Sequence, residues 1–573
     1  MIAMILATLI SVNAGGNFQA ALNSAVPGDV IELQAGATFT GTFNLPVKTP
    51  VTGAYVTIRS SAYSSIPSGR LDPVLSGSYL AKLRVAVANK NIITNTDGAA
   101  FYKFVGIDFG PTSGISVTAL VQLGKLETNP ANLPDHIEFD QCYFHGDPVL
   151  GSRRAGVFDA KNLRIERSYF KDFKALGSDS NGIWIYNTTG PGVIHDNYVE
   201  GAGENIFFGG ADSQAESLIP TGYTITNNTV TKPLSWCPFH ASFGGSDGDA
   251  LTTLGPNVLS SNGATVTSTA HGILDVNYIK LTSGSQAGEI RQVVGVVDAN
   301  TVTIASPFSA NQTSVTWKKL EVWTVKNLFE MKIGVDFTVS GNVFENSWHS
   351  SDQHRGINLK SENQNGHAPW TVTANVLFEN NIVKNVKSGL GIVGKASNRV
   401  VVRAHDITVR NNIFIGLDAP FSGPGDPDGV LVANGASNVT LDHNVFETQI
   451  GADQTGKAIV LESSNPKLSN LVIQNNIFRR GFYGMKGTGT AEGTATLNGH
   501  ASSYSFVKNV MADDGASVVN YPAQNYAEAD FESLFLNYPV DWSLANSSPY
   551  IALGTDSKDI GVDWTELQAA LVP

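Results

Sequence analysis

Four short stretches repeat one pattern: VRNNIFIG at 409–416, FENNIVKN at 378–385, LDHNVFET at 441–448 and IQNNIFRR at 473–480. Each places an asparagine before a β-branched residue and a second apolar one. Aligning the chain on this pattern gives ten copies. Their fourth residues are Cys142, Ser168, Asn197, Asn228, Asn342, Asn381, Asn412, Asn444, Asn476 and Asn509, at intervals of 26, 29, 31, 114, 39, 31, 32, 32 and 33 residues. A period of about thirty residues with one outsize gap marks a solenoid carrying an insertion. The residues before each asparagine alternate apolar and polar, as in DITVRNN and NLVIQNN, and the repeat holds a second short strand such as GIWIYN (182–187), NIFFGG (205–210), GINLKS (356–361) or GVLVAN (429–434). A period of two is strand rather than helix. Short strands with Gly and Asn at the corners describe an all-β solenoid, a parallel β-helix of about a dozen coils. The repeated asparagine is expected at a left-handed corner, with its side chains stacked into an amide ladder. The Ile/Val and the Phe beyond it are both expected to face the core.

Four regions follow. Residues 1–242 form the N-terminal part of the β-helix, capped by an amphipathic helix near 16–26 where Phe18, Ala21, Leu22 and Ala25 recur at helical spacing. Residues 243–320 alternate strongly and break at Gly, Asn and Asp, as an inserted small antiparallel β-module would. Residues 321–523 continue the β-helix. Residues 524–573 form a C-terminal cap, with DWTELQAAL as a short closing helix. The opening MIAMILATLIS lacks a basic leader and is too short to span a bilayer, so it is expected to be a first strand. The net charge of -13 disfavours nucleic acid and anionic membranes as partners. Cys142 and Cys237, the two cysteines, are expected as buried thiols rather than a disulfide framework.

The stretches FQAALNSAVPGDVIELQAGATFTG, YVEGAGENIFFGGAD (198–212), WTVKNLFEMK (323–332) and SPYIALGTDSKDIGVDW resemble bacterial right-handed β-helix proteins of the pectate-lyase-like superfamily. TSTAHGI and VVDANTVTIASPF in the insertion resemble small β-modules of phage tail and fibre proteins. The first resemblance implies a right-handed fold and a polysaccharide partner. It leaves the activity open, because lyases, hydrolases, epimerases and tailspikes share the architecture. It also implies an extracellular, cell-surface or virion location and a monomer or homotrimer. The lyase element R-x-P-x-x-R is absent, and VTLDHN (439–444) places Asp442 and His443 in a slot that other repeats fill with different polar residues. Asn-Thr-Asp occurs at 95–97 but the Gly-His-Gly that accompanies it in polygalacturonases does not.

Parity of the short strands nominates a face. Ile183, Ile185, Ile206, Phe208, Ile357, Leu359, Val430 and Val432 point inward, so Trp184, Tyr186, Phe207, Asn358 and Lys360 point outward. The same count puts Leu328 and Glu330 inward and Phe329 outward. Aromatic rings beside polar groups suit sugars, so Trp184, Tyr186, Phe207, Asn358 and Trp348 are the expected substrate-binding residues. The loop FENSWHSSDQHRGINLKSENQNGHAPW (344–370) is the densest in ionisable groups. β-Elimination needs a base and a cation to neutralise a uronate carboxylate. Lys360 or His354 could be the base, and Arg355 could bind the carboxylate. Lys332 shares the patch. Asp352, Glu362 and Glu330 could hold Ca²⁺; no organic cofactor is implied. A polysaccharide lyase is the leading expectation. A non-catalytic tailspike-like or adhesin-like binder, and a hydrolase using paired carboxylates, are the alternatives. A basic cluster at 152–180, with Arg153, Arg154, Lys161, Arg164, Arg167, Lys171 and Lys174, reads as outward charges on adjacent coils or as an anionic-glycan site.

Overall fold

The computed structural model describes residues 7–49, 53–243, 252–254, 259–273, 277–320, 322–349, 355–423, 427–451, 454–513 and 517–573. Three long sheets run along a rod. The first has 14 strands, from Leu9–Val12 to Tyr504–Val507; the second has 14, from Thr38–Thr40 to Tyr526–Glu528; the third has 12, from Phe43–Leu45 to Tyr483–Lys486. One coil is His405–Arg410 in the first sheet, Ile413–Leu417 in the second and Asp428–Ala433 in the third, and each strand pairs in parallel with its equivalent one coil on. L-residues make such parallel crossovers right-handed. The chain therefore has a right-handed parallel β-helix architecture.

The asparagine corner joins the first and second sheets. Asn412 donates both its backbone N–H and its Nδ2 to Asn444 Oδ1, each at 3.0 Å, and Nδ2 also to the Phe378 carbonyl at 2.9 Å. The ladder runs unbroken from Asn197 to Asn525, bridging the long gap where Asn228 meets Asn342. Ser168 and Cys142 occupy the same slot in earlier coils. The left-handed residue is not the ladder asparagine but the one before it: Asp196, Asn411, His443 and Asn475 have φ of 52°, 54°, 53° and 57°. The ladder residue needs a buried amide; its predecessor needs tolerance of positive φ.

Only one of the two apolar residues after the ladder faces the core, because a strand cannot turn consecutive side chains to one side. Phe414, Phe446 and Phe478 stack inside, 4.4 and 5.2 Å apart. Ile413, Val445, Ile477 and Val510 face outward and are buried by Phe531, Phe535, Trp542, Ile560 and Val562 of the C-terminal segment. That segment does not close the rod with its last helix. It runs back along the corner, where Thr555 meets Asn475, Gly561 meets His443, Asp563 meets Asn411 and Ala570 meets Asn227. The late mouth is covered instead by helix Thr494–His500, whose Leu497 enters the main core. At the other mouth, helix Phe18–Ser24 is capped by Asn17 and packs Phe18 on Phe43 at 4.7 Å. The strand Leu9–Val12 pairs with Val30–Leu33.

The insertion leaves the rod after Thr229–Thr231 and returns before Phe329–Met331, and it forms an eight-stranded antiparallel sheet over its own core of Val266, Ile279, Leu281, Val293, Val302 and Trp317. At its root Trp236, Cys237, Trp323, Val325 and Trp348 pack together against Ala202. Cys142 and Cys237 are both buried and unpaired.

Candidate functional site: a cleft on the third sheet

The outer face of the third sheet carries a different side chain on nearly every coil. Val157, Trp184, Phe207, Glu330, Asn358 and Gly391 follow one another in register. Glu330 is therefore outward and Phe329 inward in the main core, the reverse of the parity count, because the strand Phe329–Met331 enters one residue out of phase. Tyr186, Lys332 and Lys360 stand in the neighbouring row. At Gly391 a Cβ would lie 2.5 Å from Asn358 Oδ1 and 3.0 Å from Arg355 Cδ, so a side chain there would displace these two.

Charges alternate across this face. Lys360 Nζ lies 2.8 Å from Glu330 Oε1 and 3.2 Å from Glu362 Oε2, while Lys332 Nζ lies 3.1 Å from Glu362 Oε2 and 2.9 Å from Gln364 Oε1. Burial alone would raise the Glu330 carboxyl, but the ammonium groups of Lys360 and Lys332 outweigh it and hold Glu330 ionised. Burial would lower Lys360, and Glu330 with Glu362 overcome it, so Lys360 is an ammonium well into the alkaline range. Arg355 donates from Nη2 to Asp428 Oδ2 at 2.7 Å, with burial pulling its pKa down against that partner. Trp184 and Tyr186 stack at 4.7 Å, and Lys332 lies 5.7 Å from the Phe207 ring centroid.

The structure thus brings Lys360, Lys332, Glu330, Glu362, Asn358, Phe207, Trp184 and Tyr186 onto one face, with Arg355 at the start of the strand that carries Asn358 and Lys360. Two expectations change. Trp348 is 2 % exposed in the tryptophan cluster at the root of the insertion, so it supports that junction rather than contacting a glycan. Lys360 cannot be a resting base, because two carboxylates keep it protonated. Glu330 and Glu362 both engage Lys360, and among the described residues no group of three or more His, Cys, Asp or Glu converges as a metal site. Asp352 and His354 lie outside the described residues.

Sequence reasoning missed the part of the face contributed by corners. Glu204 is fully buried just before strand Ile206–Phe208; its Oε2 accepts from Asn181 Nδ2 at 2.9 Å and its Oε1 lies 3.6 Å from Lys326 Nζ, which also meets Asp179 at 3.1 Å. Burial, with Glu330 nearby, pushes the Glu204 carboxyl up to about 7. The only hint was the charge in GENIFFGG directly before a strand. The basic cluster at 152–180 disperses: Arg164 pairs with Glu166, Arg167 with Asp140, Lys161 with Asp135 and Lys174 with Asp172, across different sheets.

The loops at the end of the third sheet are tied together on the far side of the cleft. Asp212 accepts from Asn365 and His367 N–H, and Trp370 Nε1 donates to Ser213 Oγ at 2.9 Å. A separate cavity of about 380 Å³ lies between the C-terminal segment and the asparagine corner, lined by Asp442, His443 and Trp564. It is a by-product of the docked tail and lies on a different part of the rod. Asp442 and His443 are thus corner residues.

No family model matches the chain, and no curated protein matches it. Among solved structures it is similar to a PL6 family alginate lyase (12% identity, TM-score 0.41, covering 91% of this chain and 53% of that one). It thus spans about half the length of that lyase. It is similar also to a PL6 family polysaccharide lyase from Pseudopedobacter saltans (11% identity, TM-score 0.37, 97% and 99% covered) and to the Dettilon tailspike protein (11% identity, TM-score 0.34, 90% and 68% covered). Likeness at this level describes the shared coils alone.

Proposed function

We infer that the chain is a carbohydrate-active β-helix protein that binds an acidic polysaccharide along the third-sheet cleft and cleaves it by β-elimination. The observation that carries this is the Lys332–Lys360 pair set between Glu330 and Glu362 and bordered by Trp184, Tyr186 and Phe207. Aromatic faces accept the CH faces of sugar rings. A uronate carboxylate entering the cleft would exchange with Glu362, the more exposed of the two carboxylates, and take both ammonium groups. Neutralising that carboxylate acidifies the adjacent C5 proton. In this reading Lys360 and Lys332 are the electrophilic pair, Arg355 and Asn358 orient the chain, and the base is His354, next to Arg355 in sequence. Calcium, if the reaction uses it, is held by Asp352 with Glu362.

Incubation with a panel of uronate polysaccharides, followed by the ultraviolet absorbance of unsaturated products, tests the reading. Product with one polymer, lost in Lys360→Met, is expected. Binding without product from any polymer would favour the non-catalytic binder, a reading that the ion-paired Lys332 and Lys360 also suit. Saturated reducing ends would favour a hydrolase, in which the protonated Glu204 and ionised Glu330 are the carboxyls whose environments push them apart.

A further inference from the structure

Among the described residues the cleft cations Lys326, Lys332, Arg355 and Lys360 each have a carboxylate partner, whereas Arg154, which borders the cleft at Trp184, has none. Arg154 opens strand Arg154–Phe158 on the coil before Trp184 and is only 9 % exposed. Its Nε donates to Asn181 Oδ1 at 2.9 Å, and its guanidinium carbon lies 4.1 Å from the Trp184 ring centroid. Its terminal nitrogens donate to no described residue, and no described carboxylate comes within ion-pair distance. Asp179 and Glu204 act on it only from further away, and Arg153 repels it. Burying an arginine without an anion is costly. The cost is tolerated where a ligand supplies the anion.

We propose that Arg154, seated on Trp184 and aimed by Asn181, is a subsite for the carboxylate of a uronic-acid residue in the bound polysaccharide. The inference rests on the acidic-polysaccharide reading and names a second recognition point for it. The orientation is built: Glu204 Oε2 holds Asn181 Nδ2, which leaves Asn181 Oδ1 to hold Arg154 Nε. With Nε occupied, the two Nη groups remain as a fork for a planar carboxylate. Burial lowers the guanidinium to about 10, so it stays cationic at neutral pH. Arg154 lies three coils from Glu330, roughly 14 Å at the spacing of parallel strands. One sugar cannot reach both points, so the subsite selects a chain with charge on separated residues.

Calorimetric titration of the full chain with oligouronates from polygalacturonate and alginate, and with their carboxyl-reduced forms, tests this. The wild type is expected to bind one oligouronate about tenfold more tightly than its reduced form, as a bidentate charged contact implies. Arg154→Met should lower that ratio severalfold, the remainder coming from Lys332 and Lys360, while affinity for the reduced chain is unchanged; Arg154→Lys should keep more of it, since the charge remains and the fork does not. Unchanged thermal midpoints show that the variants fold, and Arg154→Lys serves should the Met variant not. If both variants keep the tenfold ratio, the subsite is overturned and the cleft reading stands. If only a sulfated neutral oligosaccharide shows an Arg154-dependent gain, the carboxylate assignment is overturned. If the wild type binds no oligouronate, the acidic-polysaccharide reading fails along with it.

Discussion

The asparagine corner and the outer face of the third sheet are built by the same coils, yet they differ in how they repeat. At the corner one amide recurs from Asn197 to Asn525 with the same contacts each time, because every coil must satisfy the same buried backbone groups in the same place. On the third sheet the register is equally regular, but the residues are Trp184, Phe207, Glu330, Asn358 and Gly391. Regular spacing with constant chemistry is scaffold. Regular spacing with varied chemistry is where a rod can acquire a site.

Four substitutions would break or sharpen that contrast, in descending order of effect. Asn444→Ala should cost about 4 kcal/mol in denaturant unfolding, since it strands the backbone N–H and Nδ2 donors of Asn412 and takes the Nδ2 donor from the Val409 carbonyl and Asn476 Oδ1. Lys360→Met should cost about 3 kcal/mol by leaving Glu330 as an unpaired buried charge, and Lys360→Met with Glu330→Met should recover most of it; failure to recover would mean that the pair is scaffold as much as site. Asp159 tests the pH behaviour. It is 2 % exposed, and burial raises its carboxyl to about 7 although Tyr186 and Asn187 N–H groups hold it. A carboxyl raised above its unfolded value stabilises the fold when protonated, so the wild type should lose stability as pH climbs from about 4 through 7. Asp159→Asn should reduce that slope, Glu204 keeping part of it, and be about 2 kcal/mol more stable than wild type at pH 8 but not at pH 4. Lys384→Ala, which breaks the half-exposed 2.9 Å pair with Glu345 on the second sheet, should change stability by less than about 1 kcal/mol and leave glycan binding untouched.

Much of the scaffold was readable in the chain. The asparagine interval gave the coil and exposed the insertion, and the alternation in GIWIYN, NIFFGG and GINLKS told inward from outward residues correctly. It misled in NLFEMK, where the strand starts one residue later than its apolar pattern suggests. It misled again after the corner, where Ile413 and Phe414 are equally apolar but only the tail, more than a hundred residues on, decides that the first may face outward.

What the sequence by itself determined is the repeat, the corner chemistry and the parity of most strands, because these are set by contacts within one coil and by the identical contact of the next. What only the tertiary structure decided is the company each outward side chain keeps. Arg154, Asn181, Glu204, Lys326 and Lys360 come from successive coils, with a whole β-module intervening between Glu204 and Lys326. Stacking brings residues of adjacent coils within a few ångströms, as in Arg154–Asn181, Asn181–Glu204 and Glu204–Lys326, and no spacing in the chain encodes which of them meet. The same stacking buries Trp348 at the module's root, pairs Lys360 with two carboxylates and leaves Arg154 with none.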